Sequence, residues 1–358
     1  MTRRQPNPAP DDEPRLRISE PGDLIAAIPA MLGFRPHRSI VVISLGGTPT
    51  AVQTVMRQDL PAGDVTAGDR AGLELIARVC ARSDASMAVA VVVDDREPGT
   101  LGPAVAGLVD GAAAALIAAG VMLTAVHATP SIEAGRPWWG ILGDPRCGRL
   151  PDPTASTVAA EQVLRGRPIL ASRAELARIL HPLPRRDRLR MARLLAVARH
   201  PASRAVPRRD RAALEFALTR IATVASTGYL TDDEIVALSV VLERPAVRDS
   251  LLGLAVTAEA DAADQTWIVL ARALPGPARA EPAALLGFSS YVRGNGPLAG
   301  VALAAALAAN PDHRLAGLLD HALATGIRPG KIADLAGTGH RAAADLGVAL
   351  PPVERERA

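Results

Sequence analysis

The sequence predicts an α/β N-terminal domain followed by an all-α C-terminal domain built of helix hairpins. The N-terminal domain is expected to hold a mixed, centrally parallel sheet flanked by helices. Three observations carry this expectation. Before residue 143, β-branched runs alternate with helical stretches rich in alanine and leucine. After residue 155, no stretch reads as a strand. Between the two, proline, glycine and aspartate crowd residues 143–154 and mark a linker. The expected boundaries are a disordered tail over 1–17, a sheet domain over 18–142, that linker, a helical domain over 155–350 and a second disordered tail over 351–358.

Each element has a local reason. Prolines and charges argue against structure in the first 17 residues. Ser19 or Asp23 can cap a helix over 22–32, whose apolar stripe is Leu24, Ile25, Ile28, Met31 and Leu32. Ile40–Leu45 reads as a strand, Gly46-Gly47 as a hairpin turn, and Thr50–Gln58 as the antiparallel return. A helix over 69–82 follows, with Leu73, Ile76, Ala77 and Cys80 on one face. Met87–Val93 is continuously apolar, as a strand buried on both faces should be. A helix over 103–119, a strand over Val121–His127 and a last strand around Trp138–Leu142 complete the sheet. Later helices break at Pro182, Pro201, Gly228, Pro245, Pro275, Pro311 and Pro329. Tyr291, Ala299, Leu303, Ala306 and Pro311 fall one residue short of tetratricopeptide spacing. An ordinary helix hairpin is the stronger reading, because such arrays need about three repeats.

Composition narrows the class. At 358 residues, 49% of them apolar and 2% aromatic, the core must be built from alanine, leucine and valine. Lys331 is the only lysine, which points to a GC-rich genome and discounts arginine counts as a functional signal. Two cysteines, Cys80 and Cys147, exclude an extensive disulfide framework and suit a reducing cytoplasm. No signal peptide is expected, because no apolar core follows Arg3-Arg4. The most apolar stretch, 101–126, contains Pro103 and Asp110 and reads as a helix plus a strand, not as a membrane span.

Candidate chemistry gathers at one sheet edge. In open α/β sheets, ligands sit beyond the carboxyl ends of parallel strands. That rule places Asp59, Asp94, Asp95 and His127 together. The start of the first strand adds His37, Arg38 and Ser39. His37, Asp59, Asp94 and His127 are the candidates for acid/base or divalent-metal chemistry, and Arg38, Ser39 and Asp95 for ligand binding. The same residues also suit ordinary solvated turns, where aspartate is common. No glycine-rich phosphate loop, nucleophile elbow or His-Glu-x-x-His helix is present. No cofactor and no metal centre is therefore assigned. Trp138 and Trp139 should point to opposite faces of their strand, one into the core and one outward. Asp312 should cap a helix that His313 opens.

Three stretches carry a family likeness. One runs from Leu24-Ile25-Ala26-Ala27-Ile28-Pro29 through Gly33-Phe34-Arg35-Pro36-His37-Arg38-Ser39 to Leu45. The second is Arg57-Gln58-Asp59-Leu60-Pro61. The third lies between Trp267 and Pro329, and includes Arg293-Gly294-Asn295-Gly296 and Asn310-Pro311-Asp312-His313-Arg314-Leu315-Ala316. Together they resemble the actinobacterial domain-of-unknown-function 4192 family. The resemblance implies relatedness along most of the chain and carries no catalytic residue across. Relatives often hold neighbouring cysteines after the paired tryptophans. Here only Cys147 stands, in Asp144-Pro145-Arg146-Cys147-Gly148, which speaks against a metal or redox role of such a pair. The third stretch leads us to expect helices within 267–325 near the 33–39 loop or its neighbouring strand ends.

The strongest electrostatic feature is residues 165–211. They hold 14 arginines against Glu175, Asp187 and Asp210, a net +11 that leaves −8 elsewhere. On a helix over 184–199, Arg186, Arg190 and Arg193 form one line beside the apolar Met191, Leu194, Leu195 and Ala198. That line can dock an anionic partner: the protein's own acidic remainder, a second copy, another protein, or nucleic acid. The leading expectation is a cytoplasmic, non-catalytic interaction or regulatory protein with a protein partner or self-association. A phosphate- or metal-dependent hydrolase using the sheet edge is the first alternative. A nucleic-acid-associated protein binding through 165–211 is the second.

Overall fold

A computed structural model describes residues 20–48, 50–83, 85–96, 99–164, 169–200 and 206–354. The expected N-terminal tail lies outside these residues, as do Arg165, Arg167 and Arg204 of the basic segment.

The N-terminal part is a mixed six-stranded sheet with helices. The chain runs α1 (Pro21–Leu32), β1 (Ser39–Gly46), β2 (Ala51–Asp59), α2 (Ala67–Arg82), β3 (Ala85–Val93), α3 (Pro103–Ala118), β4 (Met122–Thr129), β5 (Pro137–Leu142) and β6 (Cys147–Arg149). Proline at its first position starts α1, and Gly33 in the left-handed region (φ 74°) ends it. Thr66 and Asp69 form a capping box at the start of α2.

The strand order is β2-β1-β3-β4-β5-β6. Only β3 and β4 pair in parallel, and every other neighbouring pair is antiparallel. The centre of the sheet is therefore not parallel as expected. The reason is the hairpin. Its turn sends β2 to the outer edge, and the α2 crossover then brings β3 to the free side of β1. β2, β3 and β4 do point the same way. β1, however, lies between β2 and β3.

The residues expected to form a linker contain β6 and a 3-10 turn over Pro153–Ala155. The start of the expected C-terminal tail is also tied down. Val353 bridges Thr257, and the Glu354 N–H donates to the Val256 carbonyl at 2.8 Å.

The C-terminal region is helical: α4 (Thr157–Leu164), α5 (Arg173–Arg178), α6 (Arg185–Ala198), α7 (Asp210–Thr227), α8 (Asp232–Leu242), α9 (Pro245–Leu251), α10 (Ala260–Ala273), α11 (Ala280–Val292), α12 (Gly296–Ala309), α13 (Arg314–Ala324) and α14 (Pro329–Asp345). Tyr291, Ala299, Leu303 and Ala306 are all buried in the α11–α12 hairpin. Small residues set its closeness: a Cβ on Gly287 would lie 2.7 Å from Leu303 Cδ2.

Strand alternation divides the apolar surface in two. Ile40, Val42, Ala90, Val92 and Val126 face α2 and α3. Val41, Ile43, Val89, Val91 and Val93 face the other way, into a core shared with α1, Trp267, Phe288 and the helices out to Ala343. Each fully buried aliphatic side chain stabilises the fold by about 1.5–3 kcal/mol. One continuous core therefore holds the helical region on the sheet. At the far side, Arg82 Nη1 donates to the Thr325 carbonyl at 2.7 Å, and Gly326 packs on Val79.

Candidate functional site

The register aligns one sheet edge. Ser39 lies opposite Asp59 on one side and Val93 on the other, and Val93 lies opposite Thr129. The Asp94 N–H donates to the Thr129 carbonyl at 3.0 Å. Asp59, Asp94, Asp95 and the 37–39 turn therefore share this edge.

The turn is built from the core outward. Phe34 is buried and bridges Leu170. The Arg35 N–H donates to the Leu170 carbonyl (3.0 Å), and the Leu170 N–H to Gly33 (2.9 Å). Segment 169–170 thus flanks the start of this loop. Trp267 and Phe288 share the core that holds Phe34 and Val93, while the 325–326 corner meets the C-terminal end of α2, beside the Gly46–Ala85 end of the sheet. Arg38 sits at φ 43°, the one positive-φ non-glycine among the described residues, and its carbonyl accepts from the Leu60 N–H at 2.8 Å. Ser39 is fully buried. Its hydroxyl donates to the His37 carbonyl (2.6 Å) and accepts from Arg57 Nε (2.8 Å). The Arg57 guanidinium also lies 5.8 Å from the Phe34 ring centroid and pairs with Asp59.

Each edge carboxylate meets an arginine. Arg96 grips Asp94 through Nε and Nη2, both at 2.8 Å, and its Nη1 donates to the Pro61 carbonyl at 3.0 Å. Burial pushes the Asp94 carboxyl up, but the hydrogen bonds and charge of Arg96 outweigh it and the net shift is down. Asp95 accepts from Arg38 Nε at 2.9 Å and contacts His37 Nε2 at 3.3 Å. Chiefly the Arg38 hydrogen bond lowers its carboxyl to about 2.

His127 does not join them. It lies two positions inside β4, opposite Val91 and Gly140, and is buried edge-to-face against Trp138 with ring centroids 5.4 Å apart. Burial lowers its pKa; the charge of Asp144 raises it and that of Arg146 lowers it, for a net fall. Among the described residues, no three His, Cys, Asp or Glu side chains converge as a metal ion would need.

The profile of the family described as "Domain of unknown function (DUF4192)" matches residues 21–330. The chain belongs to that family. No curated protein and no solved structure matches it. Among the described residues, no helix of this DUF4192 chain is long and apolar enough to cross a membrane.

The other candidates separate. Arg186, Arg190 and Arg193 are exposed on α6, with Met191 and Leu195 buried beneath. Arg190 Nη2 reaches Asp232 of α8 at 2.9 Å, and Arg186 lies 3.7 Å from Asp187. Trp138 enters the shared core, while Trp139 packs half-buried toward α2 and α3. His313, not Asp312, caps α13: its Nδ1 accepts from the Ala316 N–H at 3.1 Å, and its Nε2 faces Glu281 at 3.3 Å.

Sequence reasoning missed Arg57 and Arg96. Signals for both existed. Arg57 shares a strand face with Asp59 at a spacing of two. Asp94 accepts from the Arg96 N–H at 3.1 Å, a local turn that aspartate favours.

Proposed function

We propose that this DUF4192 chain is a cytoplasmic, non-catalytic interaction protein, and that His37, Arg38 and Asp95 form the rim that meets its partner. The backbone of Arg38 carries this reading. A left-handed conformation costs a non-glycine residue about 1–2 kcal/mol. The ion pairs it makes possible are exposed, with side chains 62% (His37), 51% (Arg38) and 43% (Asp95) accessible. Exposed pairs contribute only about 0–1 kcal/mol. The arrangement therefore lowers stability or leaves it level, and holding His37 and Arg38 ready at the surface is its use.

Catalysis fits the same geometry less well. A carboxylate lowered to about 2 is a weak general base. Asp59 and Asp94 already hold guanidinium groups that a divalent cation would have to displace. The nucleic-acid reading is weakened by the pairing of Arg190 with Asp232. Two free thiols, Cys80 and Cys147, agree with a reducing compartment.

Purification of the tagged full chain from its native host tests the proposal. A partner, or a second copy, should remain bound in moderate salt and be lost in the His37→Glu/Arg38→Glu variant. A chain that runs alone under every mild condition contradicts the reading. So does phosphoester turnover with added Mg²⁺ or Mn²⁺ that disappears in Asp94→Asn.

A further inference from the structure

A second cationic centre lies in the helical region, apart from the sheet edge. A cavity of about 510 Å³ opens where the 181–184 segment meets the end of α10, and His181, Arg185, Arg188 and Arg272 line it. The Leu183 N–H donates to the Arg272 carbonyl at 2.8 Å, which fixes the segment against α10.

Arg188, Arg272 and Arg279 are held by backbone, not by acids. Arg188 Nε donates to the Leu183 carbonyl at 3.0 Å, and Arg272 Nε to the His181 carbonyl at 3.4 Å. Arg279 Nη2 donates to the Leu180 carbonyl beside them, and its Nε is buried with no partner. Among the described residues, none of Arg185, Arg188, Arg272 and Arg279 has a carboxylate within 4.0 Å. The nearest acid in sequence, Asp187, lies 3.7 Å from Arg186. A guanidinium has five N–H donors, so the single carbonyl that Arg188 and Arg272 each meet leaves most of their donors for a ligand.

Two further observations point the same way. Burial, and then the charge of Arg188, hold Arg279 below its ordinary pKa, as clustered cations without a counter-ion require. The 14-residue α6 begins at Arg185 behind Pro184 with no side-chain cap, so its positive end adds to the field.

We propose that this cavity is a binding site for a small phosphorylated ligand that carries a diphosphate or longer phosphate group, held by Arg185, Arg188 and Arg272, with Arg279 adding positive charge behind them. The volume lies within the range of small-molecule sites, about 300–1,000 Å³. Three lining guanidinium groups would overcompensate a lone phosphate. Planar forks suit the paired oxygens of phosphate chains. The site is independent of the proposed partner rim.

Calorimetric titration of the full chain with inorganic pyrophosphate and tripolyphosphate, at fixed ionic strength, tests this. Saturable one-to-one binding is expected, with tripolyphosphate tighter than pyrophosphate and sulfate weaker than both. Arg185 and Arg272 are exposed, so Arg185→Gln/Arg272→Gln should fold. It should weaken binding by about tenfold or more, about 1.4 kcal/mol or more, since hydrogen bonds to a charged group are lost. Arg186→Gln/Arg193→Gln, on the exposed line of α6, should leave affinity unchanged. The proposal is overturned if neither polyphosphate binds saturably. It is equally overturned if both double variants weaken binding alike, which would mark a diffuse field. Tighter binding of a single-stranded oligonucleotide, with a steep salt dependence, would assign the arginines to nucleic acid instead.

Discussion

His127 and Trp138 meet edge to face across β4 and β5, their ring centroids 5.4 Å apart and their planes at 87°. The imidazole is buried, and its Nδ1 has no hydrogen-bond partner. Burial therefore favours the neutral ring, and the folded pKa lies below the ordinary 6.5. The unfolded chain takes up this proton first as pH falls. The contribution to stability is complete above the unfolded value and shrinks as pH drops from there toward the folded value. Replacing His127 with Gln should flatten the loss of thermal stability between about pH 7.5 and pH 5.5 relative to wild type. Parallel melting curves for the two proteins across that interval would refute the assignment.

The two thiols should differ sharply. Burial pushes the Cys80 thiol up to about 11, while Cys147 is exposed on the edge strand β6. Thiolate is the reactive form, so only Cys147 should react rapidly with a disulfide reagent in the native state. Cys80 should appear only after denaturant is added. Two fast thiols in native wild type and one in native Cys147→Ser would mean that α2 does not seal Cys80 against the sheet.

Two helical glycines should respond in opposite directions to alanine. A Cβ on Gly339 of α14 would lie 2.4 Å from the Gly253 nitrogen and 2.9 Å from the Asp249 carbonyl oxygen, both backbone atoms. Gly339→Ala should destabilise by about 1–3 kcal/mol or more, because the packed helices must separate. Gly317 of α13 has nothing within 4 Å of its added Cβ. Gly317→Ala should stabilise by about 0.5–1 kcal/mol through helix propensity. Denaturant midpoints of the two variants check the pair.

What the sequence made legible follows from local chemistry. The β-branched runs and their polar ends located Ser39, Asp59 and Asp94 on one edge, since strand direction follows from hairpin and crossover lengths. The adjacency of β1 and β3 was not legible, because nothing in Ile40–Leu45 says which side of β1 a later strand will occupy. β4 continues two residues beyond His127 to Thr129, and period-two alternation turns the ring toward Trp138, so His127 lies inside the strand and not at its edge. A three-residue strand such as β6, reading Cys-Gly-Arg, has too little pattern to separate it from a linker. Arg272 and Arg279 reach the 180–183 carbonyls only through tertiary closure, which no window of sequence contains.

The claim at the centre of this account is that the rim is kept at a cost to stability or at no gain. The equilibrium stability of Arg38→Asn tests it most directly. Asparagine tolerates the left-handed region better than arginine does. The exposed guanidinium lost contributes about 1 kcal/mol at most. The account predicts an unfolding free energy equal to wild type or higher. A loss of about 2 kcal/mol or more, well beyond what an exposed pair contributes, would make the His37–Arg38–Asp95 cluster a structural device and contradict its role in recognition.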